Sequence, residues 1–238
     1  MTERLLSDIE YNYKTICENI AKAAEDSGRN YEDITFLAAT KTVEAEYINY
    51  AISLGLDHIG ENRVQELLSK LEAYDLANTK LHMIGHLQTN KVRQIVGKVD
   101  MIESVDSFKL AKEISDQSLK RDLKTDILVE VNIGGEESKS GIAPEKLEEL
   151  LCQIAELPAI KVCGLMTIPP ICENEQKICR YFENMRKLFI DISAKKIDNI
   201  SMNVLSMGMS DDYMEAIREG ATMVRIGSAL FGARNYNK

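Results

Sequence analysis

The chain has no excess of positive charge. Its 29 Lys and Arg are outnumbered by 38 Asp and Glu, for a formal net charge of −9. The basic residues are scattered, whereas a nucleic-acid binder clusters them against phosphates. Nucleic acid is therefore not an expected partner. No apolar run approaches the roughly 20 residues of a membrane span. The N-terminal stretch, MTERLLSDIE, carries acidic residues and lacks a signal-peptide core. A cytoplasmic location without membrane contact is expected. The five cysteines are odd in number and form no CxxC, which predicts reduced, unpaired thiols. The three histidines show no ligand pattern. His82 and His86 are four apart, but the segment between them reads as strand, so they would not share a helical face. No Pro/Gly/Ser linker and no low-complexity tract marks a boundary, so residues 1–238 are read as one domain.

Hydrophobic residues are plentiful, at 45%, enough for a large core. Short apolar strands are predicted near 34–40, 57–60, 80–85, 100–104, 126–132, 161–167, 202–207 and 222–226. Helical spacing falls between them near 43–54, 62–74, 89–97, 107–120, 145–156, 174–195 and 211–219. An N-terminal helix over about 3–26 precedes the first strand, with Leu5, Leu6, Ile9, Tyr13, Ile16, Ile20, Ala23 and Ala24 at helical spacing and Gly28 as its stop. Ser107 and Ser210 are candidate N-caps, the second placing Asp211 and Asp212 in a first turn. Pro144 suits a helix start, and Gly55 and Gly220 suit helix ends. Eight strands alternating with helices imply a parallel sheet with right-handed crossovers. Eight strands can close into a single (β/α)8 TIM barrel, with the N-terminal helix completing the outer ring. An open doubly wound sheet is the alternative, although no G-x-G-x-x-G follows the first strand.

In a barrel, functional groups sit at the carboxyl ends of the strands. Lys41 follows the first strand and is a candidate Schiff-base residue, provided that its amine is neutral. Burial beside cationic groups would favour that form. Asn62 follows the second strand and His86 the third. Ser206 follows the seventh, and Arg225, Gly227 and Ser228 lie in the last strand and its exit. Gly227 would allow backbone to approach an anion closely, and Ser206 and Ser228 could add hydroxyl donors. Each residue also has a structural reading. Lys41 could be a solvated charge, Arg225 could pair with an acid, Ser210 could simply cap a helix, and Asn62 and His86 could satisfy buried backbone groups. Their convergence at one barrel mouth favours a ligand that combines an aldehyde with a phosphate, as pyridoxal 5'-phosphate does.

Seven motifs run in order across nearly the whole chain: AATKT at 38–42, IGENRVQE at 59–66, HMIGHLQTNK at 82–91, VNIGGEESKSG at 131–141, LMTI at 165–168, LSMGMSDD at 205–212 and VRIGSALFG at 224–232. As a set they resemble the pyridoxal phosphate homeostasis family (YggS/PROSC), which is related to the barrel domain of alanine racemase. The resemblance implies a barrel of the alanine racemase N-terminal type, PLP fold type III. It implies that Lys41 carries the cofactor as an internal aldimine. Ser206, Gly227 and Ser228 would hold the phosphate, Arg225 would face the pyridine nitrogen, and Asn62 and His86 would line the ring pocket. Leu81 departs from the pattern, since other members often have Trp there.

Three functions are open at this point. One is a PLP-binding carrier in intracellular PLP homeostasis, without robust turnover, making transient contact with PLP-dependent apo-enzymes. Another is a barrel that binds some other phosphorylated metabolite without a covalent Lys41 adduct, which the resemblance disfavours. The third is a racemase-like enzyme. Two-sided proton transfer needs a second base opposite the lysine, which alanine racemase takes from a C-terminal β-domain of the partner subunit. The chain ends at Lys238, soon after the eighth strand. The expectation is therefore a non-enzymatic monomer, with Tyr213 or His86 as the internal bases a racemase reading would require. The polar loop 133–141 is a candidate lid, or else a solvated connection.

Overall fold

Each predicted strand is a short apolar run bounded by helix caps, and a computed structural model shows how they assemble. It describes residues 5–136, 139–172 and 174–232. Eight parallel strands, β1 (Thr35–Ala39), β2 (His58–Glu61), β3 (Lys80–Met83), β4 (Met101–Val105), β5 (Thr125–Glu130), β6 (Ile160–Met166), β7 (Ile200–Ser206) and β8 (Met223–Ile226), close into a barrel in chain order. The open-sheet alternative is thereby excluded. β1 closes on β8, with Ala38 opposite Ile226.

Nine α-helices wrap the described barrel: α1 (Leu6–Asp26), α2 (Ala45–Ser53), α3 (Val64–Lys70), α4 (Val92–Ile95), α5 (Phe108–Leu119), α6 (Leu147–Ala155), α7 (Glu175–Lys195), α8 (Tyr213–Arg218) and α9 (Ser228–Phe231). The expected N-terminal helix does complete the outer ring, since α1 packs on α2, α8 and α9. Its buried stripe runs through Ile9, Ile16, Ile20, Ala23 and Ala24. Leu5 and Leu6, assigned to that stripe by spacing, are instead exposed.

Period-two alternation sorts the strand residues between two environments. Phe36, Ala38, Ile59, Leu81, Ile102, Ile127, Leu205 and Val224 face the helices and form the main core. The alternate residues face the barrel interior. Leu37, Ile84 and Met223 form one interior plug, and Leu128, Cys163 and Met166 another. The same interior parity carries His82, Glu103, Ser206 and Arg225.

Several local expectations change. Ser107 does cap α5, accepting the Leu110 N–H at 3.4 Å. Ser210 does not cap α8. α8 starts at Tyr213 with Asp212 before it, so Asp211 and Asp212 precede the first turn. The predicted 89–97 helix shrinks to a 3-10 turn and the four residues of α4. α9, absent from the expected elements, follows β8 directly.

Candidate functional site

Lys41 lies two residues beyond β1, next in the inward series after Leu37 and Ala39. It is half-buried. It lines a small cleft at the carboxyl end of the barrel together with Thr42, Gly227 and Ser228. The pairing of β1 with β8 brings these segments together. The fit is tight: a Cβ on Gly227 would lie 3.0 Å from the Ala39 carbonyl oxygen, so a larger residue there would push β8 off β1. Ser210 reaches across to this point. Its Oγ accepts the N–H groups of Gly227 and Ala229, both at 3.2 Å. That commits it to the start of α9 rather than to α8.

Ser206 and Arg225 sit deeper. The fully buried Ser206 hydroxyl donates to Glu103 Oε2 at 2.7 Å and accepts from Arg225 Nη1 at 2.6 Å. Arg225 Nη2 donates to the Thr167 carbonyl at 2.9 Å. The other oxygen of Glu103 meets His82 Nδ1 at 2.7 Å, and the His82 ring packs edge-on against His58 at 5.5 Å. A polar file thus runs from the floor of the barrel to Arg225. Burial opposes the charge on Glu103, but His82, Arg225 and Ser206 outweigh it and hold this carboxyl below its ordinary value. Burial pulls the Arg225 guanidinium down, against the attraction of Glu103, Glu130 and Asp212. An arginine so placed stays cationic. Glu130, at the end of β5, is pushed up to about 7, first by burial and then by Asp106, with Arg225 opposing.

Asn62 and His86 flank the mouth on adjoining loops. Gly85 passes so close to Asn62 that a Cβ there would lie 2.3 Å from the Asn62 carbonyl oxygen. Asn62 Oδ1 is buried without a hydrogen-bond partner. His86 is exposed, with Nδ1 4.0 Å from Asp106 Oδ2. Among the described residues neither side chain bonds a buried backbone group, contrary to their structural reading. Tyr213 is not at the mouth at all: its hydroxyl accepts the Asn19 amide of α1 at 3.0 Å, in the outer layer. It is not placed to act as a second base.

A second polar cluster lies just outside β1 and β2, against α3. Glu61 is fully buried, and its Oε1 accepts from Thr40 Oγ1 at 2.9 Å, Lys70 Nζ at 2.9 Å and Tyr74 OH at 2.6 Å. Lys70 also reaches the Thr40 carbonyl at 3.1 Å and Glu66 Oε1 at 2.7 Å. Glu66 Oε1 in turn accepts the Thr42 N–H at 2.5 Å. Sequence reasoning named Ser206 and Arg225 but missed Glu103 and His82 beside them, and it missed the second cluster. The available signal was a carboxylate inside an apolar strand, as in the stretches MIESV and HIGE, because an acid is almost never fully buried unless paired.

The candidate lid is outside the described residues at 137 and 138. Around that gap, Asn132 Nδ2 donates to the Glu136 and Lys139 carbonyls, and Lys139 Nζ donates to the Pro169 carbonyl at 2.9 Å. Among the described residues no three His, Cys, Asp or Glu side chains are grouped to hold a metal ion. No helix there is long and apolar enough to cross a membrane.

Comparison with known proteins agrees with this geometry. Residues 11–235 match the family described as alanine racemase, N-terminal domain. The pyridoxal phosphate homeostasis protein of Aquifex aeolicus is 47% identical over 221 residues, covering 93% of this chain and 96% of that protein. Its counterpart in Escherichia coli is 39% identical, covering 98% and 100%. The solved structure of PipY from Synechococcus elongatus, with PLP bound, superposes with a TM-score of 0.79 at 31% identity, covering 90% of this chain and all of that one. The barrel, the ordered strand-end motifs and these full-length matches together place the chain in the alanine racemase N-terminal domain family, among its pyridoxal phosphate homeostasis proteins.

Proposed function

We propose that this chain binds pyridoxal 5'-phosphate through Lys41 and serves as a carrier in the homeostasis of that cofactor. The observation that carries the reading is the shared cleft of Lys41, Gly227 and Ser228 on the β1–β8 seam. It sets an amine beside a glycine-serine turn. The residues present suit the group. Lys41 offers the nucleophile for an aldehyde. Gly227 and Ser228, backed by Ser210, offer backbone and hydroxyl groups to a phosphate. The unpartnered Asn62 Oδ1 is a buried acceptor awaiting a donor. When bound, the cofactor supplies an aldehyde and an electron-withdrawing ring.

Lys41, as the neutral amine, would hold the cofactor covalently through that aldehyde. Arg225 is the group we assign to the pyridine nitrogen. A cation there disfavours ring protonation, whereas many pyridoxal enzymes place a carboxylate at that point and gain a stronger electron sink. Ser206 keeps Arg225 in place rather than standing free for the phosphate. His86 and Asn62 border the ring. This arrangement favours holding the cofactor over carbanion chemistry, which is the basis for preferring a carrier to a racemase-like enzyme. We further propose that the carrier is monomeric and cytoplasmic and contacts apo-enzymes transiently.

The test is the visible spectrum of wild type and Lys41→Ala after adding PLP, followed by borohydride trapping and peptide mapping. A visible band and an adduct on Lys41 in wild type alone are expected. No band and no adduct would redirect the search to other phosphorylated ligands. Amino-acid turnover by wild type that is lost in Lys41→Ala would favour the racemase-like alternative.

A further inference from the structure

The polar cluster outside the barrel points to a positioning device for Lys41. Lys41 sits between two peptide groups, and both are tied to this one cluster. On the N-terminal side, the Thr40 carbonyl accepts from Lys70 Nζ and the Thr40 hydroxyl donates to Glu61. On the C-terminal side, the Thr42 N–H donates to Glu66. Lys70 joins the two halves by bonding Glu61 and Glu66 together.

Two features show that this arrangement costs stability locally. Thr42 has φ +62°, a left-handed conformation that a β-branched residue rarely adopts. Three donors converge on Glu61 Oε1, while Glu61 Oε2 is buried with no partner. A cluster kept only for solvation would spread its donors over both oxygens. What it achieves instead is geometric. With Thr40 tied outward to β2 and α3, the next residue continues the inward parity of Leu37 and Ala39, and the turn at Thr42 fixes where its stem begins.

We propose that Lys70, acting with Glu61 and Glu66, is a positioning residue that aims Lys41 into the cleft. The proposal rests on the assignment of Lys41 as the covalent anchor. Lys70 does not line the cleft that holds Lys41. Its ammonium acts as an internal cation that holds two carboxylates and a carbonyl in one place. Releasing it would let the turn relax and widen the range of Nζ positions. Small misplacements of a reacting atom lower rates strongly while leaving contacts elsewhere intact.

The experiment compares two ligands on wild type, Lys70→Met and Glu66→Gln. PLP reports covalent capture through the growth of the visible band. Pyridoxamine 5'-phosphate has no aldehyde and reports the remaining contacts alone. In Lys70→Met the band should grow at least about tenfold more slowly, with pyridoxamine 5'-phosphate affinity within about twofold of wild type. Glu66→Gln keeps an acceptor for Thr42 but loosens Lys70, and should slow capture less; it carries the test if Lys70→Met does not fold. Unchanged capture in a folded variant overturns the proposal. An equal loss for both ligands also overturns it, because it would show a general structural role. A wild type with no band and no Lys41 adduct removes the anchor assignment itself, and is distinguishable because it appears before any variant is compared.

Discussion

Arg225 shares the barrel interior with two carboxyl groups of opposite character. Glu103 is held ionised by its partners, whereas Glu130 rises from 4.5 to about 7. Between those two values native Glu130 retains a proton that the unfolded chain has already released. Its contribution to stability is therefore most favourable below the unfolded-state value and declines as pH climbs toward 7. Glu130→Gln should remove this decline, raising stability at pH 8 by up to roughly 3 kcal/mol. Melting temperatures of wild type and variant at pH 5 and pH 8 check it, and parallel curves would show that Glu130 does not titrate in this range. Lys41, Gly227 and Ser228 were legible in the sequence because each stands at a strand end, where chain order alone predicts the barrel mouth. The Glu103–Ser206 bond was not, since its partners are separated by 103 positions and no local pattern pairs them. Arg225 illustrates the middle case. Its strand was plain, but its hydrogen bonds belong to the closed barrel.

At the scale of elements, the order of strands and helices followed from apolar periodicity, and the errors fell where polar residues crowd together. At residues 210–212 the pattern marked Ser210 as a cap, with Asp211 and Asp212 in the first turn. Tertiary structure overrode it by committing Ser210 to Gly227 and Ala229, and Asp212 Oδ1 to the Met209 N–H. Leu5 and Leu6 matched the α1 stripe in spacing but lie beyond the surface that α1 covers. Within that surface Ile20 is fully buried. Ile20→Ala should cost about 2–5 kcal/mol through lost burial and a residual cavity, read from denaturant unfolding. Between β6 and β7 the limit is backbone clearance. Gly164 has φ +156°, and a Cβ there would lie 1.8 Å from the Val204 carbonyl oxygen. Gly164→Ala should destabilise by roughly 3 kcal/mol or more, combining overpacking with backbone strain. A melting temperature equal to wild type would mean that the two strands part more easily than their packing indicates.

The whole molecule is a ring of strands whose closure joins residue 38 to residue 226. Contacts so distant in sequence carry a large loop-closure entropy and reward the chain only once most of it is ordered. The proposed ligand contacts straddle that junction, with Lys41 on one side and Gly227 and Ser228 on the other. By mass action, ligand at 100 times its dissociation constant should stabilise the fold by about 2.7 kcal/mol. The added protection should be greatest at the amides of β1 and β8 when hydrogen exchange is compared with and without pyridoxamine 5'-phosphate. Uniform protection around the ring would place the ligand elsewhere.

The position of that junction also bears on synthesis. Lys41 leaves the ribosome early, yet the surface facing it is completed only when residue 228 has emerged. With Lys41 as the proposed anchor, a nascent chain would carry that amine for most of its translation before Gly227 and Ser228 complete the cleft. Cofactor capture would then be reserved for a chain whose last strand has docked, and occupancy would record completed folding.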